Sequence, residues 1–547
     1  MSIWIRCSLL TLCSIFATLP TISGQDTASE STCEFFERYS DWPEDLRIPG
    51  SLLLADSVQG FSQYVASIEK SPKKNKTWCI VGPLVSARSI LGDPGVDKIA
   101  SSLNRIAWVP DIKDLQELDP ETLLLICEER AIEEISPETW QSIGRCIKRH
   151  LDQGAMVGFI GPAGCGLGKR YLKSGVDGQW SDGLGFLPDG VIHFTPDGQC
   201  DRSLCNAIRP GDRSVLLSIA SGSAWVLQGR KGLLYGPGVA TAWVGDCEHT
   251  PAATQRIEAR TERNRNEPES FLIDWTQWRR RAIERTLEIF PPVQRQIPHV
   301  ANGSLMIVGG GGMPPGLMEK FVELAGGTEA RIVYVPCAEE EDMSSDTRLL
   351  EVWTQMGAKR CSLLHTKDRR VADQDQSFLE PLKDATGIWF GGGRQWNLAD
   401  SYYGTQAHRL MKQVLDRGGV IGGSSAGASI QGNYLARATP IENFRIMAPG
   451  YERGGLGFLS GVAIDQHFTQ RRRQKDLRSL VETYPQMLGI GIDETTAILV
   501  RESQAEVVGP GTVTFNWKDG KEGQVQEFVG VQGQFFDLEN RILIATP

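Results

Sequence analysis

An α/β fold, built twice along the chain, is what the sequence predicts. Two observations carry this reading. Short apolar strands alternate with helix-compatible stretches, and four local patterns recur in order at a nearly constant offset. Strand, helix, strand in this rhythm belongs to sheets that are mostly parallel. The 547 residues are 41% hydrophobic and 23% charged, so each half has enough chain to bury its own core.

The repeat is read first. Gly183-Leu184-Gly185-Phe186-Leu187 returns as Gly455-Leu456-Gly457-Phe458-Leu459. His193-Phe194-Thr195 returns as His467-Phe468-Thr469, and Gly236-Pro237-Gly238 as Gly509-Pro510-Gly511. Leu151-Asp152-Gln153-Gly154 is echoed by Leu415-Asp416-Arg417-Gly418. The offsets run from about 264 to 274 residues, which points to a tandem duplication. We therefore expect a first domain over 30–270, a helical linker over 271–300 ending past Pro291-Pro292, and a second domain over 301–547. In the second copy, strands are expected at 305–308, 331–336, 387–390 and 419–422, with helices at 316–325 and 407–416.

Residues 1–25 have the form of a secretory signal: Arg6, an apolar run over 8–19, then small residues before Gln25. The run is too short to span a bilayer comfortably, so a secreted or periplasmic location without a stable membrane span is expected. A net charge of -10 argues against a nucleic-acid partner. The 12 cysteines and 7 histidines do not repeat with metal-ligand spacing, so no metal site and no cofactor is expected. Cys200 and Cys205 are close enough for a local disulfide, which export would permit.

Chemistry concentrates in the second copy. Gly423-Ser424-Ser425-Ala426-Gly427 follows the apolar Val420 and Ile421 and precedes a helix-compatible segment. A tight strand-to-helix turn with small neighbours lifts a serine hydroxyl out of the sheet. It also aims the next backbone N–H, that of Ala426, at a developing oxyanion. Gly391-Gly392-Gly393-Arg394-Gln395 ends another apolar strand and can bring a second N–H, from a glycine near Gly393. His467 follows an apolar run at 461–464 and is placed to act as general base for Ser425. The arginines after it either form a solvated face or bind a carboxylate through their planar fork.

Taken together, these residues resemble the cyanophycinases, a family of serine peptidases whose relatives include aspartyl dipeptidases. The resemblance rests on Ser424-Ser425-Ala426-Gly427-Ala428, on Asp465-Gln466-His467-Phe468 with Arg471 and Arg473, and on Gly489-Ile490-Gly491-Ile492-Asp493-Glu494-Thr495-Thr496-Ala497. It covers about 301–517. It implies a class I glutamine amidotransferase-like (flavodoxin-like) fold and a peptidase releasing β-Asp-Arg from cyanophycin, a polyaspartate carrying arginine on each side chain. It implies Ser425 as nucleophile and His467 as base. Gln395, Asp465, Gln466, Arg471 and Arg473, with Glu494 and Thr496, fall at substrate-binding or supporting positions. The family's acid lies between nucleophile and histidine, which selects Glu442, with Glu494 the second choice for orienting His467. A third family arginine is replaced here by Asp476, which favours a different aspartyl or isoaspartyl peptide as the alternative substrate. A homodimer is a further expectation.

The first copy lacks this chemistry. Aligning the Leu-Asp echoes sets Gly161 opposite Ser425 and Pro162, which has no N–H, opposite Ala426. Ala220-Ser221 falls opposite Asp493-Glu494, and His193 remains without its serine. Cys165 is an alternative nucleophile at a shifted spacing. A non-catalytic, polymer-binding role for the whole chain is the remaining alternative.

Overall fold

The computed structural model describes residues 45–544 apart from 69–76, 83–88, 95–104, 113–114, 116–121, 129, 174–178, 201, 209–211, 249, 338–347, 442–444 and 520–522. The leader expected at residues 1–25 lies outside the described residues.

Each half holds a large sheet with a smaller one beside it. In the second half, the large sheet has nine strands. Its parallel part runs Arg360–Leu363, Arg331–Cys337, Gly387–Gly393, Val420–Ser424 and Val300–Val308, in that spatial order. Antiparallel strands, beginning with Ala497–Glu502 and Gln504–Val508, extend the Val300–Val308 edge. The parallel strands read as near-continuous apolar runs because helices cover both faces: Val420–Gly423 is buried throughout. Helix Gln406–Asp416 shows how the layers meet. Ala407, Leu410, Met411, Val414 and Leu415 repeat at helical spacing and are buried, while Thr405 caps the N-terminus by accepting from the His408 N–H.

The first half has the same strand order. Its parallel strands Arg105–Val109, Thr77–Val81, Leu123–Cys127, Met156–Ile160 and Ile48–Ala55 are followed by the antiparallel Ala224–Gly229, Lys231–Tyr235 and Leu272–Asp274. The smaller sheets also correspond. Gly190–Thr195 pairs in parallel with Val215–Ala220, as Leu459–Gln466 does with Leu488–Ile492, and two antiparallel strands follow in each case. The Leu-Asp-x-Gly echo has a local cause. Helices Pro137–Asp152 and Gln406–Asp416 each end just before a glycine with positive φ, Gly154 at 80° and Gly418 at 89°, the usual left-handed helix stop.

The expected linker divides into parts that belong to the folded halves. Leu272–Asp274 completes the first large sheet, and Asp274 caps helix Trp275–Glu284 by accepting from the Gln277 N–H. Cys200 and Cys205, close enough in sequence for a local disulfide, are not joined by one. Burial, reinforced by Cys205, pushes the Cys200 thiol up to about 12. Among the described residues no helix is long and apolar enough to cross a membrane, and no metal-binding cluster occurs.

Candidate active site

The carboxyl ends of parallel strands are where such sheets place their ligands. Three of these ends and two from the smaller sheet converge here. Ser425 directly follows Val420–Ser424 and opens the short helix Ala426–Ser429. Its backbone has φ 57° and ψ -112°, a conformation that costs a non-glycine residue about 1–3 kcal/mol and is retained mainly at functional sites. The turn is held from below by the Ser425 N–H donating to Val308 O at 3.0 Å. Ala426 is the first residue of the helix, where an N–H has no acceptor inside the helix.

His467 and Glu494 arrive from the smaller sheet. His467 follows the end of Leu459–Gln466, and Glu494 lies two residues past the end of the neighbouring parallel strand Leu488–Ile492. Ser425 Oγ lies 2.9 Å from His467 Nε2, and His467 Nδ1 lies 2.6 Å from Glu494 Oε1. Serine, imidazole and carboxylate thus form one hydrogen-bonded chain across the two sheets. Such a chain can take the proton from an attacking hydroxyl and stabilise the imidazolium that results. Burial holds the His467 imidazole below its ordinary pKa, Glu494 opposes that, and Arg471 adds to the lowering. The ring is therefore neutral, and able to accept a proton, at neutral pH.

The run Gly309-Gly310-Gly311 makes room for these two side chains. A Cβ on Gly310 would come within 2.6 Å of His467 Nε2, and one on Gly311 within 2.6 Å of Glu494 Oε2. Both residues have positive φ, 96° and 72°. The same backbone holds both loops: His467 N–H donates to Gly309 O and Thr495 N–H to Gly310 O, each at 2.8 Å. Across from the serine, a Cβ on Gly392 would meet Ser425 Cβ at 3.5 Å. The expected Gly393 is adjacent, exposed, with φ 144°.

Glu442, the expected acid, lies outside the described residues. The carboxylate seated on Nδ1 is that of Glu494, which takes the place expected of Glu442. Asp493 is the nearest competitor, but its carboxylate is engaged elsewhere. It accepts from the N–H and hydroxyl of Thr469 and of Thr512, and these bonds outweigh burial and hold it below the usual range. Thr496 is buried, with its hydroxyl donating to Glu494 O and accepting from the Gly511 N–H.

The residues expected to bind substrate divide in two. Arg471 is exposed beside His467. Asp465, Gln466, Arg473 and Gln395 are buried, and their bonds run inward. Arg473 Nη1 donates to Asp465 Oδ1 at 2.9 Å and to Gln466 O at 2.7 Å. Gln395 Nε2 donates to Ala436 O and Arg437 O. The centre of this network is Arg437, which sequence reading missed. Its Nε lies 3.0 Å from both oxygens of Asp465, and its Nη2 2.7 Å from Asp476 Oδ2. Burial alone would lower its pKa, but Asp465 and Asp476 hold it above the ordinary value. Nothing in the spacing marks Arg437, a single arginine in a turn with φ 57°.

The first half shows none of this convergence among its described residues. Gly161 occupies the turn after Met156–Ile160, and Pro162 opens the short 3₁₀ segment there. His193 lies inside strand Gly190–Thr195, in register with Ser218, rather than beyond a strand end. Burial pushes the Cys165 thiol up to about 12, away from a nucleophilic thiolate at neutral pH.

Residues 304–508 match the profile of peptidase family S51. A cyanophycinase of Geminocystis herdmanii is 34% identical over 200 residues, which span 36% of this chain and 73% of that protein. The chain belongs to peptidase family S51. This S51 serine peptidase is also 29% identical to a cyanophycinase of Trichormus variabilis, over 41% of its own length and 76% of the relative's. A crystal structure of a peptidase from an acI-B1 Actinobacterium aligns with 25% identity and a TM-score of 0.33, covering 45% of the S51 peptidase chain and 98% of that chain.

Proposed function

We propose that the protein hydrolyses arginyl-polyaspartate (cyanophycin) to β-Asp-Arg, with Ser425 as nucleophile, His467 as general base and Glu494 as the orienting acid. The observation that carries this reading is the 2.9 Å contact between Ser425 Oγ and His467 Nε2, continued to Glu494. The cyanophycinase relatives support the polymer as substrate. Ser425 Oγ attacks an aspartyl carbonyl carbon as its proton passes to His467 Nε2. The Ala426 N–H, with one from Gly392–Gly393, stabilises the oxyanion. The C–N bond then breaks, and the amine leaves with the proton from His467. Water, deprotonated by the same ring, releases the acyl group from Ser425. No step calls for a metal or organic cofactor. The exposed Arg471 and Arg472 form a cationic rim suited to substrate carboxylates.

A specific observation favours a second reading. The Asp476 carboxylate stands where the family tends to carry a third arginine, and it pairs with Arg437, which suits other aspartyl or isoaspartyl peptides. Incubation with insoluble cyanophycin, followed by mass analysis, separates the two. Release of β-Asp-Arg that is lost in Ser425→Ala supports the first reading. Cleavage of isoaspartyl peptides without it supports the second. We further propose export directed by residues 1–25, and descent of both halves from one duplicated domain, which their common strand order supports.

A further inference from the structure

All eight residues of helix Gln395–Tyr402 are buried. The helix starts two residues after Gly393 and packs against helix Ala426–Ser429, which opens on Ser425. Its first residue is held within the second half, through the bonds from Gln395 to Ala436 O and Arg437 O. Its other end is held by the first half.

Asp400, near the C-terminal end of this helix, receives Arg280 Nη1, Arg230 Nη1 at 2.8 Å and the Tyr451 hydroxyl at 2.9 Å. Arg280 comes from helix Trp275–Glu284, and Arg230 from the turn between Ala224–Gly229 and Lys231–Tyr235. Arg230 is itself fixed by Asp45 at 2.6 Å and Asp274 at 2.8 Å. The Tyr451 ring lies 4.8 Å from the Arg280 guanidinium and 5.6 Å from that of Arg230. The Arg280 side chain is fully buried and that of Asp400 is 3% exposed. Burial alone would raise the Asp400 carboxyl, but the two guanidinia prevail and hold it at about 2. The clamp is therefore charged on both sides and closed to water. Removing one arginine leaves an uncompensated charge inside the protein, which a buried site relieves by shifting.

We propose that Arg280 and Arg230, in the half that lacks the triad, are positioning residues for the reaction in the other half, acting through Asp400 and helix Gln395–Tyr402 on the glycine loop facing Ser425. The proposal rests on Ser425 being the nucleophile. A packed helix moves as a unit, so slack at Asp400 is felt at Gly392 and Gly393. Oxyanion donors displaced by about 1 Å cost up to about a hundred-fold in rate.

The test uses the full-length chain and a fluorophosphonate probe. The labelling endpoint counts competent protein, and the rate constant reports the geometry around Ser425. Arg280→Met is expected to reach the endpoint of the unaltered chain with a rate at least about ten-fold lower. Arg280→Lys, which keeps the charge, restores the rate to within about three-fold, and Tyr451→Phe lowers it about two- to five-fold. Should Arg280→Met fail to fold, Tyr451→Phe decides alone. Full labelling at an unchanged rate overturns the proposal, and so does a lower endpoint with an unchanged rate, which marks a role in folding only. Absence of Ser425-dependent label in the unaltered chain overturns the nucleophile reading as well, which distinguishes the two failures.

Discussion

The two strand-to-helix turns, at Gly161 and at Ser425, share a backbone design and differ in what stands opposite. Gly161 N–H donates to Ala55 O at 2.9 Å, and Ser425 N–H to Val308 O at 3.0 Å, each bonding to the last residue of its own half's first strand. Opposite Ser425 the neighbouring strand ends in exposed glycines that leave the side chain free. Opposite Gly161 stands the Glu128 carbonyl, 1.8 Å from where a Cβ would lie. The first turn has therefore closed over the space that a nucleophile needs. The absence of this chemistry from that turn is built into the backbone and goes beyond one missing hydroxyl.

The strongest break of this comparison is to exchange the residues. Ser425→Ala should lower hydrolysis by about 10⁴-fold or more, measured as product release, with little change in unfolding. Gly161→Ser should create no second site. With a φ of 132° and a carbonyl in the way, it should lower stability by about 3 kcal/mol or more in denaturant titration. A gain of serine-directed label at position 161 would mean that the turn is more open than described.

Next comes the acid. Glu494→Gln should reduce kcat/KM by about 10²- to 10⁴-fold. The pH profile carries a sign as well. Burial holds His467 below its ordinary pKa, so the acid limb of the unaltered enzyme should fall below about pH 6.5. Glu494 pushes that value upward, so the Gln variant's limb should move to still lower pH. A limb that moves upward would show that Glu494 does not face the ring in solution.

The smallest effect lies at the seam between the halves. Glu284 accepts from the Gly450 N–H at 3.1 Å, and burial, with Glu452 next, raises its carboxyl to about 8. A folded value above the unfolded 4.5 means that its contribution is full below about pH 4.5 and is lost as pH rises to 8. Glu284→Gln should therefore match the unaltered chain near pH 4.5. By pH 8 it should be more stable by on the order of a few kcal/mol, as read from denaturant midpoints.

Much of this was legible in the sequence. The strand rhythm, the elbow at Ser425 and the histidine beyond a strand end are local patterns, and local patterns survive in one dimension. The choice between Glu442 and Glu494 stayed open because the neighbour of His467 is set by sheet pairing. Leu488–Ile492 lies beside Leu459–Gln466, and no spacing between Ser425 and His467 reveals that adjacency. The resemblance set Gln395, Asp465 and Arg473 at substrate-binding or supporting positions without separating the two, and burial turns their polar groups toward Arg437 and one another. The glycine run at Gly310 and Gly311 stands in the sequence without a stated purpose, because its reason, the volume of an imidazole and a carboxylate, needs three dimensions.

The Asp400 clamp sets a limit on how far the first half can diverge. Surface residues there are free to drift, and the sealed turn at Gly161 has no reaction to protect. Arg230 and Arg280 have no such liberty, because each neutralises a carboxylate that belongs to the other half. Trimming the chain to its enzymatic portion would strip that carboxylate of both guanidinium partners and leave it the Lys367 ammonium alone, so a minimal enzyme cut at residue 301 should gain stability when Asp400 is replaced by an uncharged residue.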